Sequence, residues 1–162
     1  MIELKQRILI ALSKLANRDA HQITVEDLEK IIQALSNDGV SMLLNCLYDT
    51  MNDSKPAVKK ESIQLLAVLC TARTDSVATH LTKIIAHIVK RLKDSDSQVR
   101  EACCDIVGSL SALYLKGGGG SDGVASLFVK PLFEMIDESN KAAQGKATVC
   151  MALGDRLFIW RI

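Results

Sequence analysis

The chain has 162 residues, 48% of them hydrophobic but only 4% aromatic, with 20 Lys and Arg against 19 Asp and Glu and a net charge of +1. That length bounds one domain, and a core of Leu, Ile, Val and Ala points to helices, because strands would want more aromatic and β-branched residues set between turn clusters. The longest apolar runs fall short of the roughly 20 residues that cross a bilayer, and Glu3, Lys5 and Arg7 stand where a signal peptide's apolar region would lie, so no membrane association and a cytoplasmic location are expected.

Leu4, Ile8, Ala11, Leu12 and Leu15 recur at helical spacing and predict a first helix, and Val25, Leu28, Ile31, Ile32 and Leu35 predict a second. Thr24 followed by Asp27 resembles a capping box, which starts the second helix there. A second pair is expected over about 41–51 and 56–71, with Ser54 as its cap and Pro56 in the first turn, where a missing N–H costs nothing. Val77, Leu81, Ile84, Ile85, Ile88 and Leu92 predict one helix, and Val99, Cys103, Ile106, Val107, Leu110 and Leu113 its partner. GGGGSDG, residues 117–123, would cost a helix about 1 kcal/mol per glycine and reads as a loop between repeats. It has neither the preceding strand nor the following Lys-Ser/Thr of a phosphate cradle. A fourth pair is expected over 124–136 and 141–153, and the remaining residues, 154–162, abandon the pattern as a divergent tail ending in Phe158, Ile159 and Trp160.

The pairs repeat. Asp53, Val58 and Lys59 lie on Asp94, Val99 and Arg100 at one offset of 41 residues, and a weaker copy from Asp137 fits with a single insertion. Self-similarity at roughly 40 residues is the signature of an α-solenoid of the HEAT and armadillo kind, here all-α with four helical hairpins over residues 1–153. Each helix carries one wide apolar stripe, which only stacking of pair on pair can bury.

Little in the sequence suggests chemistry. Cys46, Cys70, Cys103, Cys104 and Cys150 form no CxxC pair and read as reduced core residues. His80 and His87 share a helix, but no Asp, Glu or Cys at neighbouring turns completes a metal shell, so no metal and no cofactor are expected. No nucleophile with an oriented base is suggested, and the expectation is a protein that is not an enzyme. The aromatic residues Tyr48, Tyr114, Phe128 and Phe133 fall on apolar stripes, so a nucleic-acid partner is not expected either. The charge is uneven: residues 54–100 hold nine basic and four acidic groups, a local +5 that favours an acidic partner.

What remains is the edge made by the turns within each pair, residues 17–23, 52–55, 93–97 and 137–141. Lys59, Lys60 and Arg100 stand early in the second helices, where the macrodipole disfavours cations by roughly 0.3–1 kcal/mol. A ladder in which Asp53 and Asp94 cap the helices and pair with Lys59 and Arg100 across neighbouring repeats would offset that cost. Lys55, Lys60 and Lys93 are less tied to such a ladder and are candidates for partner binding. The rival reading is a general scaffold that holds a peptide or helix in a concave groove, on the faces around Gln64 and Asp105.

The stretches IELKQRILIALSKLANRD, TVEDLEKIIQALSNDGVSMLLNCLYDT, KPAVKKESIQLLAVLC and ATHLTKIIAHIVKRLKDSDSQVREAC resemble the N-terminal region of the plant Tortifolia/Spiral family of microtubule-associated proteins, whose HEAT repeats form a TOG-like domain. The resemblance runs over residues 2–150. It implies a cytoplasmic protein that binds cortical microtubules, modulates their dynamics and so influences directional cell growth. TOG-type domains engage tubulin through intra-repeat turns, and carried over by position the tubulin-binding candidates are Arg18 and His21, Lys55 and Lys60, Lys93 and Ser95, and Lys141. The first turn lacks the tryptophan typical of TOG domains that grip free tubulin, which favours lattice binding. Members of the family continue beyond this length, so a short form is expected.

Overall fold

The computed structural model describes residues 21–115, together with Gln6 and Ile10 ahead of them. Six helices occupy the described residues: α1 (His21–Ala34), α2 (Asn37–Thr50), α3 (Pro56–Ala72), α4 (Thr74–Ala78), α5 (Leu81–Leu92) and α6 (Ser97–Leu115). The chain divides into two compact units at Thr79 and His80. The first predicted helix apart from Gln6 and Ile10, the glycine loop 117–123, the fourth pair, the tail 154–162 and the boundary at residue 153 lie outside the described residues.

In the first unit α3 packs against both α1 and α2. Its sequence allows this because Val58, Ser62, Ile63, Leu65, Leu66, Leu69 and Cys70 are all buried, a band wider than one stripe. α2 contributes Val40, Leu43, Leu44 and Leu47, and α1 adds Leu28 and Ile32. α2 starts at Asn37, earlier than expected, because the extended Ser36 accepts the Gly39 N–H at 3.2 Å and caps it. A Cβ at Gly39 would come within 2.8 Å of Leu35 Cδ2, so a larger residue there would make the Leu35 side chain shift. α1 likewise starts at His21 and not at Thr24. The one fully buried polar side chain among the described residues is Ser62, whose hydroxyl donates to the Val58 carbonyl at 2.7 Å and meets the Thr50 hydroxyl at 2.7 Å.

The helix expected through Val77 to Leu92 is broken. α4 is a separate turn that packs on α2 and α3, and α5 begins after Thr79 and His80. The four-residue step from Val77 to Leu81 fits an unbroken helix, so periodicity alone does not reveal the interruption. Arg73, at φ −131° and ψ 46°, ends α3, and its guanidinium donates to the carbonyls of Leu35 and, at 3.4 Å, Gln33. A cation on the free carbonyls at the end of α1 is favoured by the helix dipole as well as by the hydrogen bonds.

In the second unit α5 and α6 pack face to face. Leu81, Ile84, Ile85, Ile88 and Leu92 form one stripe on α5, and Val99, Cys103, Ile106, Val107 and Leu110 answer from α6. Cys46, Cys70 and Cys103 are free and buried, as expected, whereas Cys104 is disulfide-bonded, which corrects the expectation of a thiol at that position. None of the described helices is long and apolar enough to cross a membrane.

Candidate partner-binding turns

The α2–α3 turn is built around Asp53. Its Oδ1 accepts the Lys55 N–H at 2.8 Å, closing an Asx turn, while the Asn52 side chain donates to the Tyr48 carbonyl at 2.8 Å and ties the turn to the end of α2. Lys55 then stands at the N-cap of α3 with extended backbone and no side-chain capping bond. Its carbonyl accepts the Val58 and Lys59 N–H groups at 3.1 and 3.2 Å. No acidic residue occupies the first turn of α3. Lys55 is exposed, and Lys59 and Lys60 are partly exposed.

The α5–α6 turn repeats the first step: Asp94 Oδ1 accepts the Asp96 N–H at 3.1 Å, the same two-residue reach as Asp53 to Lys55. It differs in the next. Asp96 Oδ1 accepts the Gln98 and Val99 N–H groups at 2.9 and 3.1 Å and so caps α6. Arg100 Nη1 donates to the carbonyls of Asp94 at 2.6 Å and Ser95 at 2.8 Å, bracing the turn from below, and Arg100 Nε is buried with no hydrogen-bond partner. Asp94 Oδ2 lies 3.6 Å from Arg91. Lys93 and Ser95 are exposed on this turn.

These bonds correct part of the expected ladder. Asp53 and Asp94 shape the turns and do not cap the helices; the cap falls to Asp96 in one turn and to no side chain in the other. The link between Arg100 and Asp94 runs within one repeat and through a backbone carbonyl. The signal for Asp96 was present in the sequence, since the 41-residue offset sets it against Lys55, where the second copy has an acid and the first a base. Arg73 left no such signal, because its partners lie 38 and 40 residues away.

Of the predicted binding residues, Lys55 and Lys60 fall at the start of α3, and Lys93 and Ser95 in the α5–α6 turn. His21 opens α1, but its side chain is outside the described residues, as are Arg18 and Lys141. Electrostatics of the core reach the second turn: burial pushes the Cys103 thiol up to about 12, Asp94 adds to the rise and Arg91 opposes it. In the first unit burial pushes Cys70 up to about 12 and raises Tyr48, with Cys70 adding to the latter. Among the described residues no three His, Cys, Asp or Glu side chains gather in metal-binding geometry.

On the face of α3 away from its core contacts, Gln64 is exposed and leads along the helix to Val68, Thr71 and Ala72. Those three join Glu29 and Gln33 of α1 around an open hollow of about 360 Å³. Asp105, the counterpart of Gln64, is exposed on α6.

Residues 2–153 match the family model described as TORTIFOLIA1 N-terminal. The chain is similar to the microtubule-associated protein TORTIFOLIA1 of Arabidopsis thaliana, 60% identical over 158 residues that cover 94% of this chain and 18% of that protein. It is 50% identical to TORTIFOLIA1-like protein 1 of the same plant over 159 residues, covering 93% and 19%. The chain therefore spans less than a fifth of the length of these relatives. Its fold is similar to that of crescerin, a protein whose TOG domain array regulates microtubules in the primary cilium, at a TM-score of 0.52 and 16% identity over 91% of this chain and 75% of that one. An engineered protein is similar at a TM-score of 0.52 and 14% identity, over 90% and 61%. The repeat spacing, the helical pairs and the match across residues 2–153 agree: this chain belongs to the TORTIFOLIA1 N-terminal family and has a TOG-like, all-α fold.

Proposed function

We infer that the chain is a microtubule-binding module, a binding protein and not an enzyme, that acts in the plant cytoplasm on cortical microtubules and modulates their dynamics and directional cell growth. The observation that carries this reading is the 60% identity to a protein named for its association with microtubules. The exposure of Lys55 and Lys93 on two successive turns supports it. In this reading tubulin is contacted by the turns, through Lys55, Lys60, Lys93 and Ser95 together with Arg18, His21 and Lys141, and residues 1–153 act as one module. Asp53, Lys59, Asp94 and Arg100 hold the turns in shape. Single exposed ion pairs contribute roughly 0.2–1 kcal/mol, so the affinity comes from several turns acting together on a lattice that presents many copies of the same acidic surface.

Co-sedimentation with microtubules at low and moderate salt tests the reading, beside a Lys55→Glu/Lys60→Glu/Lys93→Glu variant of unchanged helicity. Salt-sensitive pelleting that the variant loses is expected. Pelleting unchanged by the variant would remove tubulin from the turns, and no pelleting by the wild-type chain would remove microtubule binding from this segment.

The hollow between α1 and α3 favours a second reading, a scaffold that holds a partner helix or peptide on the Gln64 face. Its partner would be insensitive to the turn substitutions and lost on Gln64→Arg with Thr71→Arg.

A further inference from the structure

The α2–α3 turn also presents a hydroxyl that the binding reading leaves unused. Most serine hydroxyls among the described residues are engaged: Ser36 accepts the Gly39 N–H, Ser41 donates to the Asn37 carbonyl, Ser62 to the Val58 carbonyl, Ser76 to the Asn37 side chain and Ser109 to the Asp105 carbonyl. Ser54, Ser95 and Ser97 are exposed, and their hydroxyls make no hydrogen bond. Ser54 and Ser95 are equivalent by the 41-residue offset, each following the aspartate that closes its turn. Their surroundings carry opposite charge. In residues 52–60 Asp53 stands against Lys55, Lys59 and Lys60, a net +2, whereas in residues 93–101 Asp94, Asp96 and Glu101 outnumber Lys93 and Arg100, a net −1. These sums hold whatever pairs the side chains make. The helices that follow differ in the same sense: the first turn of α3 has no acid and no side-chain cap, while Asp96 already fills the N-terminus of α6.

We propose that Ser54 is a phosphorylation site and that its phosphate discharges the α2–α3 turn. A protein serine kinase transfers the γ-phosphoryl group of ATP to Ser54 Oγ: the bond to ADP breaks as the Oγ–P bond forms, and the hydroxyl proton leaves to the kinase's base. Residues 51–55 lie between helices, so this acceptor enters a kinase cleft without unfolding a helix, as Ser97 within α6 does not. The product carries about −1.5 to −2 at pH 7, which cancels most of the +2 around it, and it sets acceptor oxygens beside the uncapped start of α3. There the helix dipole favours it as well. The same group on Ser95 would meet Asp94 and Asp96 and find the first N–H groups of α6 taken, so like-charge repulsion opposes it. The consequence for binding rests on the reading that Lys55 and Lys60 contact tubulin: a turn whose excess charge is cancelled loses its attraction for an acidic lattice.

Two arms of the test need no microtubules. In the first, the whole chain is incubated with Mg-ATP and a cytosolic extract of elongating plant tissue, and its phosphates are placed by mass spectrometry. Phosphate is expected on Ser54 in preference to Ser95, and none at that position in Ser54→Ala. In the second, chains made with phosphoserine in place of Ser54 or of Ser95 are melted. Phosphate on Ser54 should raise Tm by about 1–3 °C at pH 7.5 and by less at pH 5.5, where the group holds only one full charge, and phosphate on Ser95 should not raise it. In co-sedimentation the chain phosphorylated on Ser54 should pellet severalfold less than wild type. The proposal is overturned if Ser54 stays unmodified in an extract that phosphorylates casein, or if phosphate on Ser54 raises Tm no more than phosphate on Ser95. It is equally overturned if wild type pellets and the Ser54 phosphate leaves that pelleting unchanged. A wild-type chain that does not pellet ends the tubulin reading alone, and the mapping and melting still decide the Ser54 site.

Discussion

Laid over each other by the 41-residue offset, the α2–α3 and α5–α6 turns are the same object up to one position. In both, an aspartate takes the N–H two residues on, and a valine three residues after that begins the buried face of the next helix. They part at Lys55 and Asp96. Asp96 gives its carboxylate to two N–H groups of α6, while Lys55 gives α3 no side-chain acceptor and adds a positive charge where the dipole disfavours it. One turn is finished for stability and the other is left short of it. A fold that demonstrably can place an aspartate in this slot, and does so one repeat later, has kept a lysine on the turn that the functional reading assigns to a partner.

The comparison can be broken most forcefully in the cores beneath the turns. Leu69 and Leu110 occupy equivalent positions and are both fully buried, so Leu69→Ala and Leu110→Ala should each cost about 2–5 kcal/mol in urea unfolding. A loss below about 1 kcal/mol at either site would mean that its unit collapses around the cavity and the two repeats are not packed alike.

The arginine clamps come next. Arg73→Ala removes the donor to the Leu35 and Gln33 carbonyls, and Arg100→Ala the donor to Asp94 and Ser95; each should cost about 1–3 kcal/mol. The difference lies in what is exposed. Arg73→Ala should raise amide exchange at the end of α1, whereas Arg100→Ala should raise it at residues 94–97.

Smaller still is the exchange of caps. Asp96→Ala should lower stability by about 1 kcal/mol, and Lys55→Asp should raise it by about 0.5–1 kcal/mol while weakening salt-sensitive microtubule pelleting. A Lys55→Asp protein that is neither more stable nor weaker in pelleting would dissolve the contrast between the two turns.

The alkaline response should be shared by both units and vanish near neutrality. Cys70 and Cys103 are held up to about 12 from an ordinary value of 9. A thiol raised in the folded state contributes its stability fully below pH 9 and loses it as pH rises from 9 toward 12, because only the unfolded chain ionises there. Urea midpoints should therefore fall between pH 8 and pH 10.5, and less so in a Cys70→Val variant.

Much of this was legible in the chain. The apolar steps over Leu81 to Leu92 and Val99 to Leu110 specify two amphipathic helices and their facing stripes, because a buried helix face needs little beyond side chains of the right kind every three or four residues. The offset between Asp53 and Asp94 identified the repeat and, with it, the solenoid class. The exposure of Lys55 and Lys93 also followed from their place in turns.

Boundaries and roles were harder to read. Ser36 caps α2 although the apolar pattern starts later, and the break after Val77 falls where the spacing of hydrophobic residues stays regular across it. Asp94, which looked like a cap, yields that role to Asp96 because the Asx turn advances the helix start by two residues. Arg73 reaches carbonyls of α1 that only the packing of α3 on α1 brings near. The sequence by itself determined which faces must be covered and how often the motif recurs, since hydrophobic burial depends on residue type and period. The tertiary structure decided which side chain meets which backbone group, since a hydrogen bond is made or lost over less than an ångström and no periodicity encodes that distance.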